Sequence, residues 1–269
     1  MILLHCSPAD TTGSTALAEY SMREDVPSPA RPEGKTIQTA STDTLIVDLH
    51  IYEDTARILS AGQFHDQEVW PEAASEEWYG IFHGINGYYL EKSTLEVVRV
   101  RDDLLDMEGE ATGWRVSTIH PDEPLLFISG LSFLMAKSLQ PIDPARREIF
   151  PGDTVAFSYA GVDYVIHATG TENPNVEERS YSPASDYKLY LTAKRNGTTT
   201  RQLLLEIEDF DSEMIDILFA GDIDSDEVPD LIINTSRHYN VRSPTLYLSR
   251  PATSGSVLKA MGDHRTVGC

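Results

Sequence analysis

The chain is expected to be a mainly β protein of antiparallel sheets, a sandwich or a barrel, behind a disordered N-terminal segment. Three observations predict this. Beyond about residue 44 the sequence is a series of short runs rich in β-branched and aromatic residues, the composition of strands. Turn dipeptides and tripeptides separate those runs, among them Asn196-Gly197, the strongest short hairpin signal in the chain. Before them, the stretch from Ser7 to about Thr44 is rich in Ser, Thr, Pro, Ala and Gly, including Val26-Pro27-Ser28-Pro29-Ala30-Arg31-Pro32, and cannot bury enough apolar surface to fold alone.

The first run is Thr44 to Leu49, and Tyr52 to Phe64 reads as a short helix. Glu77 to Phe82, Tyr88 to Glu91 and Leu95 to Val100 follow closely, broken by Gly84-Ile85-Asn86-Gly87 and Lys92-Ser93-Thr94, so the spacing predicts an antiparallel meander. Trp114 to Ile119 and Pro124 to Ile128 add two strands, and Leu131 to Leu139 fits either a helix or a loop. Thr154 to Tyr159 and Val162 to Ala168 alternate around Gly161 as a hairpin. Tyr187 to Ala193 pairs with Arg201 to Glu208 across Asn196-Gly197, and Leu231 to Ile233 and Thr245 to Ser249 close the series. Pro141, Pro144 and Pro151 suggest a boundary, giving three regions: residues 1–43 as a signal remnant and linker, 44–145 as an N-terminal β region, and 146–269 as a C-terminal β region.

With 21 Lys and Arg against 43 Asp and Glu, the formal charge is −22. Such a field repels nucleic acid and anionic lipid and favours cations or basic partners. Two cysteines at the extremes, Cys6 and Cys269, exclude a disulfide-built scaffold and a cysteine-based zinc site. The opening Met1 to Ser7 resembles the tail of a bacterial lipoprotein signal, which implies a lipid on Cys6 and a tether behind it. No segment approaches eighteen uninterrupted apolar residues, so no membrane-spanning helix is expected.

The densest chemical signal is Asp222-Ile223-Asp224-Ser225-Asp226-Glu227-Val228-Pro229-Asp230, followed by Leu231-Ile232-Ile233. Carboxylates at alternate positions of a tight loop turn several oxygens inward, as a hard cation such as Ca²⁺ requires. Aspartates packed this closely repel one another unless a cation neutralises them. The loop is not a helical EF-hand: its sixth position is Glu227 rather than glycine, and its twelfth is Ile233 at the start of a strand-like run. With Leu218-Phe219-Ala220-Gly221 before it, the segment from about Ile215 to Ser236 resembles an FG-GAP or VCBS repeat. The resemblance implies side-chain ligation of Ca²⁺ by Asp222, Asp224, Asp226 and Asp230, and carbonyl ligation by Val228. Such repeats form blades of β-propellers. One copy cannot build a propeller, so a partial, propeller-like arrangement joins the sandwich and the barrel as an expectation.

Catalytic signatures are absent: there is no His-Glu-x-x-His helix, Gly-x-Ser-x-Gly elbow, P-loop or dinucleotide fingerprint. The histidines, His50, His65, His83, His120, His167 and His238 among them, lack ligand spacing. His65-Asp66-x-Glu68 is suggestive of a site but reads more simply as a polar helix end. The acidic runs Glu206 to Glu213 and Glu76-Glu77 suit outward-facing strand edges better than a glycosidase pair, with Asp209 or Asp211 available to give Ca²⁺ a further oxygen. Trp70, Trp78, Tyr79, Phe82, Tyr88 and Tyr89 suit core packing better than a sugar platform. The function expected is therefore an exported or surface-attached Ca²⁺-binding β protein acting as an interaction module. Its partners would be Ca²⁺ and a cell-surface protein or glycan, with no nucleic acid, and a membrane only through a lipid on Cys6. The alternatives are a secreted polysaccharide hydrolase and a metal-free structural domain.

Overall fold

The computed structural model describes residues 56–175 and 181–268. Cys6, Cys269, the linker and the run Thr44 to Leu49 lie outside them. Within the described residues the chain is mainly β, built from antiparallel sheets with no closed barrel.

Among the described residues eighteen strands follow one another. The first eight are β1 (Arg57–Leu59), β2 (Gly62–Phe64), β3 (Trp78–Gly84), β4 (Gly87–Ser93), β5 (Leu95–Val100), β6 (Gly113–Thr118), β7 (Glu123–Ser129) and β8 (Lys137–Ser138). They make a five-stranded sheet in the order β1-β7-β3-β4-β8 and a three-stranded sheet, β2-β6-β5. Next come β9 (Thr154–Tyr159), β10 (Val162–Glu172), β11 (Ala184–Arg195) and β12 (Thr198–Asp209), which form a sheet in the order β12-β11-β10-β9. Then β13 (Asp216–Gly221), β14 (Asp230–Asn234), β16 (Pro244–Leu248) and β17 (Lys259–Asp263) form another, and β15 (Val241–Arg242) pairs with β18 (Thr266–Val267).

Alternation of side chains across each strand joins these sheets into a stack. In β14, Leu231 and Ile233 enter a core shared with Ile166, Leu189 and Leu205 of the β9–β12 sheet. Ile232, one residue out of phase, enters a second core with Ile81, Leu90, Leu126 and Ile128 of the five-stranded sheet. β7 repeats the division, because Phe127 points away from that core into a third, with Trp78, Trp114 and Val116. The order through the stack is therefore β2-β6-β5, then the five-stranded sheet, then the β13–β17 sheet, then β9–β12. Every residue of β14 and β16 is buried, as follows when both faces of a sheet are covered. The second core draws residues from both sides of the proline-rich stretch 141–151.

Two local expectations are corrected, and one left open between helix and loop is decided. The helix over Tyr52 to Phe64 is absent among its described residues, which form β1 and β2 instead; Ile58 and Leu59 are buried by pairing with β7. The meander breaks at Thr94, because β5 pairs with β6 rather than with β4. Leu131 to Leu139 is a loop carrying β8, with Leu134 and Leu139 inserted into the second core. The hairpin at Asn196-Gly197 forms with both residues at positive φ, 50° and 80°, the geometry that suits a two-residue turn to twisted strands.

Candidate metal centre

The eight residues 222–229 connect β13 to β14, whose first residue is Asp230, at one end of the doubly covered sheet. Asp222 shapes the loop. Its Oδ1 accepts the backbone N–H of Ser225 at 2.6 Å and of Asp226 at 3.3 Å, and its Oδ2 accepts that of Glu227 at 3.3 Å, which is how Asp mimics a backbone turn. Ser225 and Glu227 both adopt positive φ, 68° and 65°, so Glu227 takes a left-handed conformation that glycine reaches without steric cost. That backbone costs an L-residue about 1–2 kcal/mol, and the network around Asp222 holds it in place.

Asp222, Asp224 and Asp226 each present one carboxylate oxygen, and the three oxygens lie within 4.8 Å of one another. Ligands on a sphere of about 2.3–2.6 Å around Ca²⁺ stand up to about 4.6–5.2 Å apart, so oxygens this close can share one such ion. The loop contains neither His nor Cys, so its donor set is hard oxygen.

Asp224 is the unusual member. It is only 1% exposed; its Oδ2 accepts the backbone N–H of Arg250 at 3.1 Å, while its Oδ1 is buried without a hydrogen-bond partner. A buried carboxylate oxygen left unsatisfied is costly. Burial first, and then the charges of Asp226 and Asp222, push its pKa up to about 6 despite the bond from Arg250. Asp226 accepts from the backbone N–H of Val228 at 2.9 Å and from the Ser249 hydroxyl.

Asp230, predicted as a ligand, stands apart from that three-oxygen cluster. It is wholly buried; Oδ2 accepts from the backbone N–H of Ile223 and Asp224 at 2.6 and 3.2 Å, and Oδ1 accepts from Ser249 N and Oγ at 2.8 and 3.0 Å. It thus closes the loop onto the turn after β16. Burial, reinforced by the neighbouring charge of Asp224, raises its pKa well above the ordinary carboxylate range. Val228, the predicted carbonyl ligand, is half-buried and packs against the first core.

Three sheets meet around the loop. From β8, Lys137 Nζ approaches Asp222 Oδ1 at 3.5 Å and donates to Ser225 Oγ at 2.8 Å. From the β9–β12 sheet, Tyr159 lies close enough that burial and then the charges of Asp222 and Asp230 raise its pKa. An open cleft of about 520 Å³ adjoins the loop, with Asp226, Val228, Tyr164 and Arg195 in its walls.

The other residues considered from sequence lie elsewhere. Asp211 pairs with His238, Glu206 with Lys188, and Asp209 sits opposite Ser185 at the end of β12; neither Asp209 nor Asp211 belongs to the three-oxygen cluster. Glu76 accepts hydrogen bonds from Arg57 and from Trp70 Nε1, and Glu77 pairs with Lys92. Trp78 and Phe82 are wholly buried, and Tyr79, Tyr88 and Tyr89 are half-buried. Sequence spacing did not reveal Ser249 and Arg250, twenty residues downstream of the loop, which bond to Asp226, Asp230 and Asp224. No helix among the described residues is long and apolar enough to cross a membrane. No protein-family model, curated protein or solved structure matches the chain.

Proposed function

We propose that this is a Ca²⁺-binding β protein, exported or attached to a cell surface, in which the metal fixes the junction of three sheets and the protein works as an interaction module rather than a catalyst. The observation that carries the reading is Asp224 Oδ1, a buried carboxylate oxygen with no protein partner, beside oxygens of Asp222 and Asp226. Lys137 lies at the Asp222 edge of the cluster and leaves the Asp224 charge for a cation to neutralise. Asp222, Asp224 and Asp226 would supply side-chain oxygens and Val228 a carbonyl, while Asp230 would hold the loop closed around the ion through its bonds to Ile223, Asp224 and Ser249. Extracellular and periplasmic fluids hold free Ca²⁺ at levels that a loop lacking a bidentate twelfth-position Glu can use. A partner such as a cell-surface protein or glycan would meet the protein at the cleft beside the loop.

Calorimetric titration with Ca²⁺ and melting in Ca²⁺ against EDTA test the reading. A cation that binds only the folded state adds about 2.7 kcal/mol at a concentration one hundred times its dissociation constant. An unchanged melting temperature in millimolar Ca²⁺ and in EDTA, with no heat of binding, refutes it.

A further inference from the structure

A second cleft, of about 770 Å³, lies away from the acidic loop and brings His65 and Trp70 together with Leu105, His264, Arg265 and Val267. We propose that it binds a small anion, a carboxylate or phosphate carried on an apolar or aromatic body, held between the His65 imidazole and the Arg265 guanidinium.

The placement of the two cations follows from Glu68. The backbone N–H of His65 donates to Glu68 Oε2 at 2.8 Å, and that of Val267 donates to Glu68 Oε1 at 2.6 Å. Between them His264, 4% exposed, accepts from Ser60 N at its Nδ1, so its Nε2–H donates to the Glu68 carbonyl at 3.0 Å. His264 is thus a neutral, structural floor; burial holds its pKa below the ordinary value. Arg265 sits between the two residues tied to Glu68, on the same cleft as His65.

Of the charged groups, those still free to bind a ligand are cationic, and the exposed Gln67 amide beside them is neutral. Glu68 spends both oxygens on backbone N–H groups. Asp66 pairs with Arg99, and Asp263 accepts from the Ser243 hydroxyl at 2.6 Å. His65 Nδ1–H donates to Asp102 Oδ2 at 2.5 Å. Asp102 is itself anchored by the backbone N–H groups of Leu104 and Leu105 at its other oxygen. That geometry fixes the ring and leaves Nε2 with no protein partner on a side chain 24% exposed. Arg265 is exposed and has no ion pair or hydrogen bond among the described residues. Arg pairs with carboxylates and phosphates through its planar fork. Exposed Leu105 and Val267, with half-buried Trp70, supply the apolar wall. Of the groups near His65, Asp102 through its hydrogen bond is the main one raising the pKa and Glu68 adds to it, while burial opposes; the protonated ring presents Nε2–H as a donor to an anion.

The test is side-chain ¹⁵N–¹H NMR of the full chain, titrated separately with phenyl phosphate and phenylacetate. A saturable shift of the His65 nitrogens with either probe, accompanied by a rise in the pH at which His65 titrates, is the expected result, and the stronger probe identifies the anion. Arg265→Ala, at an exposed position, should weaken binding by about tenfold or more. Asp102→Asn should weaken it more at pH values above the ordinary imidazole range than below that range, where His65 is protonated without help; a purely structural role would show no such pH dependence. Absence of a saturable shift with both probes, or parental affinity in Arg265→Ala, overturns the proposal.

Discussion

At the scale of single residues, the acidic loop balances a cost against a ligand. With its Oδ1 unpartnered and its pKa pushed up to about 6 by burial and neighbouring charge, Asp224 destabilises the metal-free protein at neutral pH. Asp224→Asn keeps an acceptor for Arg250 N and turns an amide donor toward its carboxylate neighbours. In EDTA the variant should melt above the parent, by on the order of 1 kcal/mol of stability. In saturating Ca²⁺ the order should reverse, and paired thermal melts read the crossover. The two histidines of the second cleft act in opposite senses. Buried His264 has a depressed pKa, so its contribution is intact above about pH 6.5 and is lost as pH falls through its folded value. His65, raised through Asp102, contributes fully below about pH 6.5 and loses that contribution as pH rises through its folded value. The melting-temperature gap between parent and His65→Gln should therefore be wider near pH 6 than near pH 8. Alternating aspartates make the first of these sites legible in sequence. Nothing in sequence links His65 to Asp102 or to Arg265, because 37 and 200 positions separate them, and the hydrogen bond to the one and the cleft shared with the other arise only when strands pair.

At the scale of elements, turn chemistry was the most readable feature. Asn196-Gly197 and Ala160-Gly161 both make two-residue turns at positive φ. Strand partners were less readable, since β4 and β5 are adjacent in sequence yet join different sheets. Gly221, which delivers β13 into the acidic loop, shows how closely neighbouring segments approach. A Cβ there would lie 2.7 Å from the Gln140 carbonyl oxygen, and Ile142 N donates to Ala220 O at 2.8 Å in the same place. Because the obstacle is backbone, relief requires the 140–142 segment to move. Gly221→Ala should cost about 1–3 kcal/mol and weaken Ca²⁺ binding, measured by denaturant melts and calorimetry on the same preparation.

At the scale of the molecule, the stack of sheets couples parts of the chain that look separable in sequence. The core built from Ile58, Ile81 and Leu126 on one side of residue 145 and Phe219, Ile232 and Leu246 on the other is shared, so each side covers an apolar face of the other. The chain's 3 tryptophans, Trp70, Trp78 and Trp114, all precede that position, whereas the longest strands, β10 to β12, follow it. Urea unfolding followed by tryptophan fluorescence and by far-ultraviolet circular dichroism should give coincident curves, as a cooperative transition requires. Two separated midpoints would show that the halves unfold independently.

Legible in the chain alone were the β class, most strand positions, the main turns and the acidic loop, whose four expected aspartate ligands include the three that converge, because each is set by residues near one another in the chain. Tertiary structure decided which strands share a sheet, that β14 and β16 are covered on both faces, that Asp224 is buried with an unpartnered oxygen, and that Asp230 bonds to Ser249. It alone assembled the His65, Asp102 and Arg265 cleft. Burial and hydrogen-bond partnership depend on what packs from distant parts of the chain, and periodicity carries no record of that distance.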